Sequence, residues 1–464
     1  MSFFGRKDKK TESMERPEVD HAVVDQEAGD KTVGRHTSGS RNCYLQLEQE
    51  LGSDAEGVVM KLYLENFKRM NELFGLASCE ALLEEILDWL EQETGCSVYR
   101  NVGVEFIVIL RGYTQGRASR LAESVIERFN HGWKVGDTDC LCFAEIGLCS
   151  YPGYAANANE MFKCLDLAVS RAAETGSNEY AMYDRKLHAQ FQRRQAIARY
   201  ISTALEHDEI EVRYRPTYNT KEEKFTRAEF YMRMFVKDVG MVGSQEFVPI
   251  AEDTGQIRNV EYYALNRAAA MIARLMKEGK EFESIAVQVS PVLLLQEHFA
   301  DEIARLMEEY QIPAGKLAIE IDEYAMSTAY VSITALMQEL SALGVELILN
   351  NFGSGYSGIS RLLELPVDTL KFERLFMWQL ETNPQSEPIV EGLVQIARKM
   401  GRRLIAEGVE TERQLDALKR FDCVYQQGFY YSPTLPEELL PQVLDTSLEQ
   451  SRVALDGERE KLRQ

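Results

Sequence analysis

Eight apolar runs between Glu211 and Phe429 each close on a polar residue, and most are separated by stretches with a helical apolar period. The runs are EVRYR ending near Arg215, FTRAEFYMR with Glu229 and Arg233, SIAVQVS with Gln288, and KLAIEIDE with Glu320 and Glu323. They continue as VELILNN with Asn350 and Asn351, DTLKFE with Lys371 and Glu373, RLIAEGVE with Glu407 and Glu410, and CVYQQGF with Gln427. Helical periodicity fills 256–278, 295–310, 327–343 and 388–400. Strand-like runs alternating with helical ones predict a (β/α)8 TIM-like barrel. In that fold the C-terminal strand ends form the mouth, so residues distant in sequence converge there. Any one Glu or Asn after a strand reads equally well as a cap for the next helix. Agreement among the runs is what points to a shared site.

These motifs carry a resemblance. Residues 211–436 resemble an EAL domain, the family that hydrolyses cyclic di-GMP. The name-giving Glu-Ala-Leu reads Glu229-Phe230-Tyr231 here, with the following Arg kept as Arg233. FVPIAE (Phe247 to Glu252), NNFGSGYSG (Asn350 to Gly358), LPVDTLKFE, the Glu-Gly-Val-Glu at 407–410 and the Gln-Gly at 427–428 follow in the family's order. Upstream, residues 42–184 resemble a GGDEF domain, a nucleotidyl-cyclase-like α/β fold. That match runs through YLENFK (Tyr63 to Lys68), NELFG (Asn71 to Gly75), VGVEF (Val102 to Phe106) and a closing helix with Asp166, Gly176 and Asn178.

The resulting layout is a disordered tail at 1–41, a GGDEF-like domain at 42–184, and a helical connector at 185–209. An EAL-like barrel at 210–448 and a charged tail at 449–464, read as a frayed helix, complete it. The connector's apolar positions, from Leu187 to Leu205, have a helical period that runs on into the barrel. A chain of 464 residues with 45% apolar content has material for two cores. Its apolar runs are short and broken by charge, so no membrane span is expected and the expected location is cytoplasmic. A net charge of −22 argues against nucleic-acid binding by bulk electrostatics and against an anionic membrane surface. The eight cysteines show no CxxC spacing and read as reduced core residues rather than disulfides or a zinc site.

By resemblance, the GGDEF-like half would need carboxylate-held Mg²⁺ to join GTP molecules. The family's metal aspartates fall on Tyr63 and Val104, its first loop glycine on Val102 and its phosphate-contacting lysine on Ala173. This half is therefore expected to lack cyclase activity. Asn71 and Glu80 stand at positions resembling the family's guanine contacts, so GTP binding stays open.

The EAL reaction is in-line hydrolysis with two divalent ions roughly 3.5–4 Å apart. Two such ions repel by about 16 kcal/mol at an effective dielectric of 20, since unit charges at ~4 Å interact by about 4 kcal/mol. By resemblance, the metal positions are Glu229, Gln288, Glu320, Asn350, Asn351 and Glu407, and Lys371 would orient the attacking water. Glu229, Glu320, Lys371 and Glu407 are kept as vestiges of the catalytic set. Gln288 replaces Asn, and Asn350 and Asn351 replace two aspartates, so two negative charges and a bridging carboxylate are gone. An amide oxygen can ligate a hard cation but offsets no repulsion between ions. No bound Mg²⁺ or Mn²⁺ is expected unless some hydrolysis survives.

What remains is a set of candidate ligand contacts. Arg233 suits a bidentate phosphate contact. Arg215 stands where the family has Gln, Glu373 where it usually has Asp, and Gln427 closes the last run. For Arg215 and Glu373, an ion pair with leftover charges in the mouth is the equally plain alternative. Three readings stay open: a catalytically inactive cyclic di-GMP receptor acting through a partner protein, an interaction module that no longer binds nucleotide, and a slow phosphodiesterase. A homodimer is expected by resemblance alone.

Overall fold

The computed structural model describes residues 33–463, except for 102, 137, 354–358 and 373. Most of the expected N-terminal tail, together with Val102, Glu373 and the GSGYSG loop beyond Gly353, therefore lies outside the described residues. The chain divides into two compact units, Met1–Ala189 and Gln190–Gln464.

In the first unit a five-stranded sheet has the order Val98–Arg100, Glu105–Arg111, Gly57–Leu64, Ala144–Tyr151, Tyr180–Met182. The central strand GVVMKLYL is buried at all but one position, as a strand covered on both faces must be. Helix Ala158–Thr175 packs so closely on the sheet that a Cβ at Gly147 would lie 2.6 Å from Leu165 O. Only glycine permits that approach. Helix Val33–Leu51 begins within the segment expected to be a disordered tail, and its Cys43 and Leu47 are buried against the same sheet. All eight cysteines are free thiols.

In the second unit eight strands close into a barrel, in the order Lys224–Val236, Ser284–Val289, Leu317–Asp322, Glu346–Phe352, Thr369–Phe372, Arg403–Glu407, Tyr425–Gln427, Ile210–Asn219 and back to the first. Seven run parallel. Strand Ile210–Asn219 is antiparallel to both neighbours, pairing Arg215 with Glu229 and Tyr218 with Gln426. The first run thus meets the mouth by its beginning, with Glu211 rather than Arg215 at the upper end.

Strand alternation places Ser284, Ala286 and Gln288 on one face of their strand, together with Ala318 and Glu320, Ile348 and Asn350, and Ile405 and Glu407 on the neighbours. Ala286, Ala318 and Ile348 form a small apolar cluster separate from the main core. Polar layers lie to either side along the strands. Near the strand starts, Glu346 accepts from Arg227 Nη1 at 2.7 Å, Arg403 Nη2 at 2.9 Å and Thr369 Oγ1 at 2.7 Å. The other layer, further along the strands, is the candidate site. The barrel's outer faces pack on the helices through Ile319, Leu347 and Leu370, and helix Arg185–Glu206 adds Ile197, Ile201 and Ala204 to that core.

The charged C-terminal segment is helical as expected, over Leu448–Arg463, but it is docked on the barrel rather than frayed. Leu455 and Glu458 are buried, and Glu458 Oε2 accepts from Arg213 Nη2 at 2.7 Å. Its docking is hidden in the sequence because its buried residues are few and partly polar.

Candidate functional site

The parallel register brings the retained residues together. Lys371 is 1% exposed, and its Nζ lies 2.6 Å from Glu229 Oε2, 3.1 Å from Glu320 Oε2 and 3.4 Å from Glu407 Oε2. Of the four residues expected to form a vestigial catalytic set, the three carboxylates therefore surround the ammonium of the fourth. Each is fixed by its strand: Glu407 ends Arg403–Glu407, and the chain beyond is turned by a capping box in which Thr411 Oγ1 accepts from Gln414 N and Gln414 Oε1 accepts from Thr411 N.

A second cation lies alongside. Arg215 Nη1 donates to Glu407 Oε1 at 2.9 Å and to Tyr231 Oη at 2.7 Å, and its guanidinium sits 4.3 Å from the centre of the Tyr231 ring. The ion-pair alternative for Arg215 is thus the contact observed. Burial pushes the Glu229 carboxyl up, but Lys371 and Arg215 more than offset this and hold it below its ordinary value. Burial and the adjacent Glu229 carboxylate push Glu320 the other way, above its ordinary value. Burial works against the charged form of Lys371, yet Glu229, Glu320 and Glu407 together hold it well above the usual lysine range. Three carboxylates thus share two cations, Lys371 and Arg215.

The amide positions form the rim. Asn350 is buried, and its Oδ1 accepts from Asn351 N at 2.9 Å. Asn351 adopts a left-handed backbone with φ of 54°, a conformation asparagine tolerates better than most residues, and its Nδ2 donates to Asp322 Oδ2 at 2.5 Å. Fully buried Glu323 accepts from Gly353 N at 2.9 Å and fixes the start of the following loop. Gln288 sits opposite Glu320 in the sheet, but its side chain is exposed. A cavity of about 480 Å³ opens onto the cluster, lined by Glu229, Tyr231, Gln288, Asn350, Asn351 and Glu407 among others.

On the same cavity wall, buried Glu261 accepts from Ser290 N at 2.6 Å and from Ser290 Oγ at 2.9 Å. Burial pushes its carboxyl up to about 8. Sequence reading passed over Glu261, Asp322 and Glu211. Glu261 and Glu211 lie outside the strand-end polar positions, and Asp322 shares its run with two glutamates.

The expected ligand contacts are placed differently. Arg233 is not aimed freely at the mouth: Nε and Nη2 bind Glu211 Oε2 and Oε1 at 2.5 and 2.7 Å. Gln427 is buried, donating from Nε2 to Arg215 O at 3.2 Å and to Thr217 Oγ1 at 3.3 Å. Its Oε1 is buried without a hydrogen-bond partner among the described residues.

In the first unit, Tyr63 pairs with Glu105 on one side and Glu145 on the other, and Lys61 binds Glu105 Oε1 at 2.7 Å and Asp166 Oδ1 at 2.6 Å. The Asp-to-Tyr position is thus flanked by carboxylates, one of which an internal lysine neutralises. Glu80, a candidate guanine contact, is engaged by both terminal nitrogens of Arg100.

Comparison with known proteins matches residues 198–434 to the EAL domain and residues 40–179 to the diguanylate cyclase GGDEF domain. The bifunctional diguanylate cyclase/cyclic di-GMP phosphodiesterase MucR of Pseudomonas aeruginosa is 26% identical over 397 residues, covering 85% of this chain and 58% of that protein. The chain spans about half the length of the curated relatives it matches. Among solved structures, the PaMucR phosphodiesterase in its c-di-GMP complex is 26% identical with a TM-score of 0.51, covering 53% of this chain and 99% of that one. The S helix-GGDEF-EAL region of Vibrio cholerae LapD, bound to c-di-GMP, shares the fold at 19% identity and a TM-score of 0.56, over 84% of this chain and 93% of that one. Among the described residues no helix is long and apolar enough to cross a membrane.

Proposed function

Because the chain belongs to the tandem GGDEF–EAL family of cyclic di-GMP signalling proteins, we propose that it is a regulator that neither makes nor cleaves the dinucleotide and acts through a partner protein. The observation that carries this reading is Lys371 Nζ lying among Glu229, Glu320 and Glu407, while Asn350 and Asn351 offer only amides. The carboxylates left are already compensated by internal cations. This donor set does not fit two divalent ions, whose mutual repulsion needs anionic ligands and a bridging carboxylate.

The cavity and the rim amides support a receptor. Asn350, Asn351, Gln288 and Tyr231 present hydrogen-bonding groups of the kind that recognise guanine edges and ribose hydroxyls. A second reading, a protein-interaction module without nucleotide, is favoured by the engagement of Arg233 with Glu211 and of Arg215 with Glu407. Neither guanidinium is free for a phosphate.

Equilibrium binding of cyclic di-GMP to the full chain with and without EDTA, run beside a hydrolysis assay, tests both. Binding that survives EDTA with no linear product supports the receptor. No binding supports the interaction module, and metal-dependent product formation overturns both.

A further inference from the structure

We infer that Arg215 is a metal-excluding residue: its guanidinium holds Glu407 in an internal ion pair and so keeps divalent cations out of the barrel mouth. The inference rests on the reading of a mouth that works without metal, and names the side chain that makes it so.

Both oxygens of Glu407 face cations. Oε1 accepts from Arg215 Nη1 at 2.9 Å, and Oε2 lies 3.4 Å from Lys371 Nζ. A divalent ion binding Glu407 would have to displace one of these groups, or sit within a few ångströms of both and be repelled by both. Lys371 is shared among three carboxylates, so losing one contact leaves it two. Among the described residues Arg215 hydrogen-bonds no second carboxylate, so Glu407 is its ion-pair partner there.

Arg215 is also held in place independently of Glu407. The Tyr231 hydroxyl accepts from the same Nη1 at 2.7 Å, and the Tyr231 ring lies under the guanidinium at 4.3 Å. Strand pairing fixes its backbone opposite Glu229. Guanidinium does not deprotonate in proteins, so this cation persists at every accessible pH. Arg215 thus supplies at Glu407 the positive charge that an ion would otherwise bring, in a position set by the fold.

It follows that returning carboxylates at Asn350 and Asn351 is not sufficient to load the site while Arg215 remains. The test is Mn²⁺ binding to the full chain, followed by electron paramagnetic resonance of free Mn²⁺ and by the thermal shift on adding MnCl₂. Wild type and Arg215→Lys are expected to show no specific binding. Arg215→Gln, which keeps a polar side chain and removes the charge, is expected to bind Mn²⁺ at least about tenfold more tightly, in the range by which groups supporting a metal ligand alter affinity. That binding should be lost in Arg215→Gln/Glu407→Gln. Wild type binding Mn²⁺ as tightly as Arg215→Gln overturns both this inference and the metal-free reading beneath it. Absence of binding in both overturns the role of Arg215 and leaves the metal-free reading standing. Should Arg215→Gln not fold, Tyr231→Phe removes only the hydroxyl that anchors Nη1. An Mn²⁺ affinity raised above wild type then supports the inference, and an unchanged one overturns it.

Discussion

Arg233 and Glu211 form a bidentate pair, Nε to Oε2 at 2.5 Å and Nη2 to Oε1 at 2.7 Å, across two antiparallel strands whose register sets them opposite one another. Glu211 also accepts from Arg213 Nη1 at 2.8 Å. The arginine that a nucleotide phosphate would need is therefore held by a competing carboxylate from its own barrel. Glu211→Gln should release it and tighten cyclic di-GMP binding by about tenfold, the worth of one hydrogen bond to a charged group. Adding Arg233→Ala to Glu211→Gln should undo that gain. Titration of the dinucleotide by calorimetry checks both, and equal affinities across the three proteins would remove Arg233 from the ligand site.

Lys371→Met leaves Glu229, Glu320 and Glu407 in a buried space with the lysine charge gone. Breaking a buried ion pair from one side costs about 3–5 kcal/mol. Urea denaturation should show a lowered midpoint with an unchanged slope. A stability within about 0.5 kcal/mol of wild type, the range of an ordinary surface substitution, would mean that the carboxylates are solvated or protonated without the lysine.

Glu261 supplies a pH dependence of defined sign. Burial raises its carboxyl from 4.5 to about 8 in the folded chain, so across that interval the folded state holds a proton that the unfolded state has released. Its contribution to stability is fully present below about 4.5, falls as pH rises through the window, and is lost above about 8. Glu261→Gln mimics the protonated form and can still accept from Ser290 N. The variant should match wild type near the acid end and exceed it in melting temperature above the window. Parallel melting curves for the two proteins from acid to alkaline pH would contradict the assignment.

Much of the site was legible in sequence because strand-end residues of a parallel barrel must converge. Glu229, Glu320, Lys371 and Glu407 meet as that rule requires. What the runs could not convey is direction. Glu211–Arg213–Arg215 looks like one more parallel strand, and only its antiparallel pairing puts Glu211 against Arg233 and Arg215 level with Glu229. Partner choice was equally hidden, since Arg215 reads as a phosphate contact or an ion pair until Glu407 and Tyr231 are located around it. The C-terminal segment reads as a frayed charged helix, and what its sequence hides is the docking: a glutamate buried against an arginine leaves no broad apolar stripe to announce it.

That helix gives a fourth expectation. Glu458→Gln removes the charge facing Arg213 in a buried setting, and should destabilise docking of the helix by about 3 kcal/mol or more. Hydrogen exchange should speed up in 448–463 before the barrel strands are affected. Unchanged protection there would show that Leu455 and its neighbours hold the helix without the ion pair.

In the first unit, Tyr63 and Val104 stand where magnesium-binding carboxylates would be needed. Purified protein given GTP with Mg²⁺ or Mn²⁺ should yield no cyclic di-GMP above the level of a dead control. Product above that level would require a metal site built from other groups, with Glu105 and Glu145, which flank Tyr63, the first to replace.

The antiparallel strand Ile210–Asn219 has a consequence for how the chain is made. It is the first barrel strand to leave the ribosome, yet one of its two neighbours in the barrel is the last of the eight, and a hydrogen bond from Thr220 Oγ1 to Val424 O spans 204 residues. At about 5–20 residues per second, that partner arrives on the order of ten seconds or more later. Until then strand Tyr425–Gln427 is absent, one edge of Ile210–Asn219 stays unpaired, and the barrel remains an open sheet with Lys371 and its carboxylates reachable by water. Closure waits for that strand, and the charge cluster reaches its final buried form only at that moment.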